Sequence, residues 1–238
     1  ADPRVSAVLL EPVGFNSPYW GEVQELRDAV LDFKASGKPV YAYLGAADDR
    51  SYYLTTAADR VFVAPSASVD LAGVVTYALF LRGTFDKFGI VPDMHHIGDY
   101  KTAINTYTEK TYTAAHKEMD ESLNRDLFDQ IVHGVAEGRK KTDAEVSALV
   151  DSGPFLAQEA LRAGLVDEIA YEDQAIAKLR ADHGQDMARL DSEDYARVPA
   201  TSLGLDKGPR IAVVYASQGG TAAEALKHAF LKDRLIDD

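Results

Sequence analysis

The chain has 238 residues, with 25 lysines and arginines against 38 aspartates and glutamates, giving a net charge of −13 at pH 7. It has no cysteine, which excludes disulfides, Cys-based zinc sites and a thiol nucleophile. The acidic excess argues against nucleic acid and anionic membrane surfaces as partners, because both attract clustered lysine and arginine. No apolar run approaches the roughly 20 residues of a spanning helix, and the opening residues 1–4 do not resemble a signal peptide.

Strands and helices alternate through the first half of the sequence. Short runs rich in Val and Leu are typical of strands buried on both faces, and the segments between them have helical spacing. This succession predicts an α/β fold with a parallel sheet. We expect strands or extended runs at residues 5–10, 40–44, 61–64, 69–75 and 90–97. We expect helices at 23–33, at 52–58 with Asp48 or Asp49 as the cap, and at 78–88.

The second half begins with the longest predicted helix, which runs from an N-cap at Thr113 to Glu137 and is closed by Gly138. Thr142 and Glu145 have the spacing of a capping box, which predicts the start of another helix. Further elements are a helix at 155–163, a strand at 165–169 and a helix around 175–179.

The sequence predicts one domain over residues 1–181 and a linker over 182–209, where periodicity is weak. Residues 211–215 are an apolar run typical of a strand, and a helical pattern follows them. We therefore expect residues 210–238 to be the start of a second domain, most of which is absent.

Common site motifs are missing from the sequence. The six histidines lack the spacing of a zinc-protease helix, no glycine-rich phosphate loop follows a strand, and no G-x-S-x-G elbow occurs. We therefore expect no metal and no cofactor. Several serines, Ser51 among them, lie near sheet ends, where turn or cap chemistry is their ordinary role.

Lys101 remains as a candidate because it follows an apolar stretch in the segment Gly98–Ala103. An isolated lysine is ordinarily a solvated surface charge. At the end of a buried strand its amine would be desolvated, which favours the neutral form. A neutral amine can act as general base toward a serine hydroxyl.

The same segment, G-D-Y-K-T-A, is similar to the G-x-Y-K-S-A stretch around the general-base lysine of the signal peptide peptidase A (protease IV) family. Residues 160–168 resemble the A-x-x-x-G-L-V-D stretch of the wider Clp-protease/crotonase fold. With 36–42 and 52–61, these pieces resemble the amino-terminal half of the long, two-domain bacterial form.

The resemblance implies a fold of repeated ββα units and a serine endopeptidase with a Ser-Lys dyad that degrades cleaved signal peptides. Lys101 would be the base, and the second domain would supply the serine. The resemblance also implies a homo-oligomer at the bacterial cell membrane, with its soluble part facing the periplasm or the cell exterior.

Three stretches depart from the family pattern. After Lys101 the family often has Glu-Pro-Phe, whereas this chain has Asn105-Thr106-Tyr107. Asp49 occupies the position of the family's serine, and the oxyanion stretch N-S-P-G-G is matched only by Asn16-Ser17-Pro18. We therefore expect this fragment alone to be inactive. Two alternatives stay open, a crotonase-like acyl-CoA enzyme and a non-catalytic assembly domain.

Overall fold

In a computed structural model of the chain, the structure describes residue 2 and residues 4–12, 19–184 and 187–204. The oxyanion-like stretch at 16–18 and the predicted start of a second domain at 211–232 lie outside these residues. The chain divides into two compact units, residues 1–187 and 188–238, and each is described by itself.

Seven short strands form two sheets in the first unit. The larger sheet is fully parallel, in the order β1-β2-β4-β7. Its strands are β1 (Val8–Leu10), β2 (Val40–Leu44), β4 (Arg60–Val63) and β7 (Glu168–Ile169). The smaller sheet has the order β3-β5-β6, with β3 and β5 parallel and β6 antiparallel to β5. Its strands are β3 (Ala47–Asp48), β5 (Ser68–Asp70) and β6 (Phe155–Leu156).

Eight helices of the described part surround these sheets. They are α1 (Trp20–Ala35), α2 (Asp49–Thr55), α3 (Arg82–Phe88), α4 (Asn105–Thr108), α5 (Ala114–Arg139), α6 (Asp143–Val150), α7 (Ala157–Arg162) and α8 (Glu172–His183). A single 3-10 turn, Thr102–Ile104, precedes α4. Within the described residues, no helix is both long enough and apolar enough to cross a membrane.

Successive strand pairs place one strand in each sheet, as β2 and β3 do before α2 and as β4 and β5 do next. The predicted α/β fold of repeated ββα units around a parallel sheet is therefore confirmed. Strands β2 and β4 lie at the centre of the larger sheet, and Val40, Leu44, Val61 and Val63 are completely buried there. Burial on both faces explains why these strands are continuous apolar runs.

Capping chemistry sets the starts of three helices as the sequence predicts. The Thr113 hydroxyl accepts a hydrogen bond from the His116 amide and starts α5. Thr142 and Glu145 form the predicted capping box of α6. The Asp48 carboxylate accepts from the Ser51 amide at 2.8 Å and starts α2. In each case a side chain satisfies an amide that the first turn leaves without a helical partner.

Four sequence predictions are wrong in detail. Residues 155–156 form strand β6, so the helix predicted at 155–163 begins only at Ala157 as α7. Residues 90–97 form no strand and are almost all exposed, because the structure offers them no neighbouring strand. Helix α3 starts at Arg82, later than the predicted residue 78. Gly138 does not end α5, which continues to Arg139 and stops at Lys140 in the left-handed conformation.

Near the predicted domain boundary at 181, α8 continues to His183. The second unit holds a short helix α9 (Ser192–Ala196) and a 3-10 turn, Ala200–Leu203, inside the segment predicted to be a linker. The assignment of 210–238 to a further domain stays a prediction.

Candidate functional site

Lys101 lies on a long connection between β5 and α5. We call residues 74–112 the arm; it contains α3, the 3-10 turn and α4. The structure describes every residue of the arm, and only Thr102 and Asn105 are buried in it.

The Lys101 side chain is exposed, and among the described residues it has no hydrogen-bond or ion-pair partner. The sequence predicts that the Lys101 amine is desolvated at the end of a buried strand. This prediction is wrong for the chain by itself, because the residues before Lys101 form no strand and Lys101 is exposed. The Lys101 side chain is therefore open to solvent in the described part of the chain.

The backbone around Lys101 forms a compact turn. Gly98 has a φ of +79°, a left-handed conformation that favours glycine. The Lys101 amide donates to the Gly98 carbonyl at 3.3 Å. Immediately after Lys101, the 3-10 turn closes with the Asn105 amide donating to the Thr102 carbonyl. The lysine thus stands at the start of a hydrogen-bonded turn with buried residues directly behind it.

Two side chains on either side of Lys101 bind the first turns of α5. The Tyr100 hydroxyl donates to Glu118 Oε2 at 2.9 Å at an exposed position. The buried Asn105 amide nitrogen lies 3.4 Å from Thr113 Oγ1 and 3.4 Å from His116 Nδ1. The sequence analysis missed this contact, although Asn105 follows Lys101 by about one helical turn and Thr113 is the predicted cap of α5.

Asp49, at the start of α2, anchors a loop. Its Oδ1 accepts hydrogen bonds from the amides of Ala72 and Gly73, at 3.1 and 3.0 Å, directly after β5. Burial raises the pKa of Asp49, although the two amide hydrogen bonds act in the opposite direction. The carboxylate is thus committed to backbone amides and connects the start of α2 to the base of the arm.

Ser51 is not positioned as a nucleophile in the described structure. It is 6% exposed, and its amide is bound by the Asp48 carboxylate. Neither Ser51 nor Asp49 is joined to Lys101 by a hydrogen bond or ion pair among the described residues. The structure therefore brings Lys101 together with α5 and leaves it apart from both candidates for the nucleophile position.

The stretch at 165–167 has a structural role. The Tyr52 hydroxyl donates to the Leu165 carbonyl at 2.6 Å. Both oxygens of Asp167 bind the Arg139 guanidinium, at 2.8 and 2.9 Å, and Oδ2 also accepts from the Val61 amide. Burial by itself would raise the pKa of Asp167, but these hydrogen bonds hold it below its usual value. Asp167 therefore connects the end of α5 to β4.

Exposed apolar side chains are concentrated on the arm. Residues more than a third exposed are Val75, Tyr77, Leu79, Phe88, Ile90, Val91, Met94, Ile97, Tyr100 and Tyr107. Where such side chains join into one contiguous surface, that surface marks an interaction site in soluble domains. In the part of the chain that the structure describes, no group of three or more His, Asp or Glu is placed to hold a metal ion.

Comparison with known proteins adds a family match. Residues 32–186 match the model of peptidase family S49. Serine protease SPPA, chloroplastic, of Arabidopsis thaliana is 32% identical over 222 residues, covering 90% of this chain and 32% of the relative. Protease 4 of Salmonella typhi is 25% identical over 230 residues, covering 91% of this chain and 36% of the relative.

The chain thus spans about a third of the length of these two relatives. A protein of Enterococcus faecium whose name refers to signal peptide peptidase SppA is 28% identical, covering 75% of this chain and 52% of that protein. Among solved structures, the 1510-N membrane-bound stomatin-specific protease covers 74% of this chain and 69% of its own, with a TM-score of 0.44 and 12% identity. A peptidase from Plasmodium falciparum covers 70% and 78%, with a TM-score of 0.40 and 12% identity.

Proposed function

Because the chain belongs to peptidase family S49, we propose that it is the amino-terminal part of a serine endopeptidase in which Lys101 is the general base. The nucleophilic serine would come from a second domain of the same protein. The observation that supports this most directly is the exposed Lys101 side chain within the G-D-Y-K-T-A turn, which has no hydrogen-bond or ion-pair partner among the residues that the structure describes. Asp49 is already bound to the amides of Ala72 and Gly73, which favours a nucleophile from elsewhere.

The proposed reaction is acyl transfer followed by hydrolysis. The neutral amine of Lys101 takes the proton from the serine hydroxyl while the oxygen attacks the scissile carbonyl carbon. Backbone amides stabilise the oxyanion. The Lys101 ammonium then gives its proton to the leaving amine, and the peptide C–N bond breaks. In the second half, Lys101 accepts a proton from the water that attacks the acyl-enzyme and returns it to the serine oxygen as the ester C–O bond breaks, which releases the carboxylic acid and the free serine.

This role requires Lys101 to be covered. A charged amine cannot accept a proton, and removal from water disfavours the charged form. The exposed apolar side chains of the arm offer a surface for such cover. We therefore propose that the second domain, or further subunits in a homo-oligomer, pack on the arm and enclose Lys101.

Cleaved signal peptides are the substrate class that we propose. Such peptides are apolar and would be bound in an apolar groove of the assembly. The Enterococcus faecium relative carries the name of a signal peptide peptidase. The proposed location is the bacterial cell membrane, with this part of the protein facing the periplasm or the cell exterior.

The acyl-CoA alternative needs two backbone amides at a thioester and no lysine, and membership in a peptidase family favours the peptidase over it. The non-catalytic alternative is favoured by one observation, the commitment of Asp49 to Ala72 and Gly73. The peptidase proposal and the non-catalytic alternative differ in whether Lys101 is needed for catalysis.

The test is Lys101→Ala in the full-length protein, with Lys87→Ala on α3 as the matched control, since both lysines are exposed on the arm. Loss of a general base is expected to lower the rate of peptide hydrolysis by about 10²–10⁴-fold. Fluorophosphonate labelling of the serine should fall in parallel, while the Lys87 variant stays active. Unchanged hydrolysis and labelling in the Lys101 variant would show that the assignment is wrong.

A further inference from the structure

A polar link behind Lys101 connects the arm to α5. Asn105 is 6% exposed, and its side-chain nitrogen lies within 3.4 Å of two acceptors, Thr113 Oγ1 and His116 Nδ1. The His116 side chain is only 12% exposed. Its ring packs against Tyr112 and Phe80, with centroids 4.8 and 5.9 Å away.

The donors and acceptors of this link are matched. An asparagine amide nitrogen has two hydrogens, one for Thr113 Oγ1 and one for His116 Nδ1. In this arrangement Nδ1 of His116 is unprotonated, and the other ring nitrogen, Nε2, carries the hydrogen. Nε2 faces the Asp120 carboxylate at 3.7 Å, one turn further along α5. The ring thus has a polar neighbour on each side, Asn105 at Nδ1 and Asp120 beyond Nε2.

The link matters because it is a buried polar contact of the arm, whose other contacts with α5 include the rings of Phe80 and Tyr112 and an exposed hydrogen bond. The arm's only buried residues, Thr102 and Asn105, lie in the turn that follows Lys101. A further hydrogen bond to α5, from Tyr100 just before Lys101 to Glu118, is exposed. Helix α5, in contrast, is firmly placed, since Ile131 and Val135 in its second half are fully buried in the core.

We infer that His116 is a positioning residue for Lys101, acting through the side-chain amide of Asn105. This inference rests on the proposed function of Lys101. The His116 ring holds Asn105, Asn105 holds the 3-10 turn, and the turn sets where the lysine amine meets the serine. A general base displaced by about 1 Å can cost on the order of 10²-fold in rate.

The test separates the hydrogen bond from the packing of the ring. His116→Asn retains an acceptor near the position of Nδ1, whereas His116→Ala removes it. In the full-length protein, we expect the alanine variant to lose about 10–100-fold in kcat with KM changed by less than about twofold. The asparagine variant should recover most of the lost kcat.

His133→Ala is the matched control, because His133 lies on the same helix in exposed ion pairs with Glu137 and Asp143. If His116→Ala behaves like His133→Ala, or if His116→Asn is as impaired as His116→Ala, the inference is overturned. The Lys101→Ala variant tests the proposed function separately. If that variant is inactive while both His116 variants keep the wild-type kcat, only the positioning role fails.

Discussion

Asp49 has a structural role at the start of α2. The same carboxylate oxygen binds the amides of Ala72 and Gly73, and the side chain is partly buried. A serine hydroxyl at this position would be too short to reach both amides. Replacing the Asp49 side chain by serine should therefore change the free energy of unfolding by a measurable amount.

We expect Asp49→Ser to lower the free energy of unfolding by about 1–2 kcal/mol, because two backbone amides lose their acceptor. Asp49→Asn retains a carbonyl oxygen for both amides and should be at least as stable as the wild type at pH 7. Urea denaturation of the three proteins measures both effects. Equal stability of the serine and asparagine variants would contradict the anchoring role of Asp49.

The dependence on pH follows from the direction of the Asp49 shift. Burial raises its pKa, so the folded state binds this proton more tightly than the unfolded chain does. The resulting contribution to stability is fully present below the ordinary Asp pKa of about 3.9 and is lost as pH rises through the folded-state pKa. We therefore expect any advantage of Asp49→Asn over the wild type to grow across this window and to vanish below it.

At the level of the elements, helix α5 has one feature that the sequence predicts and one that it does not. Its start is local chemistry, since Thr113 caps the helix through its own side chain, and the prediction there is confirmed. Gly138 near its end is a packing feature. A Cβ built at Gly138 would collide with the carbonyl of Thr56, just after α2, so the glycine permits a close approach of α5 to that segment.

Gly138→Ala should therefore lower the free energy of unfolding by about 1–3 kcal/mol, because the backbone of Thr56 must shift. Gly21→Ala is the control, since Gly21 lies inside α1 and a Cβ there meets nothing within 4 Å. The control should be neutral or slightly stabilising, as alanine favours helices. The urea midpoints of the two variants give the comparison, and an unaffected Gly138 variant would contradict the close packing.

The arm is the least predictable element, because its structure, like the role of Gly138, depends on contacts with other parts of the chain. Residues 90–97 have the composition of a strand, yet a strand forms only where a neighbour completes its hydrogen bonds, and the described residues offer none. The buried runs at β2 and β4 were predictable because composition and burial agree there. The stretch around Lys101 was recognisable by its order of residues, but its contact with His116 depends on how the arm folds back on α5.

For the molecule as a whole, two properties act in opposite directions on Lys101. The chain carries a net charge of −13 and so has an excess of carboxylates, whereas a general base must be neutral. The lysine lies on an arm whose exposed apolar side chains are suited to being covered. Local burial by a partner is therefore the means by which this acidic chain could supply a neutral amine.

A last prediction concerns residues 1–238 on their own. Since Ser51 is buried and its amide is capped by Asp48, we expect no labelling by a fluorophosphonate probe and no peptide hydrolysis. Circular dichroism would confirm that the chain is folded, and the full-length protein would serve as the positive control. Labelling of residues 1–238 that disappears in Ser51→Ala would instead place a complete nucleophile in this chain, and the second domain would not be needed to supply it.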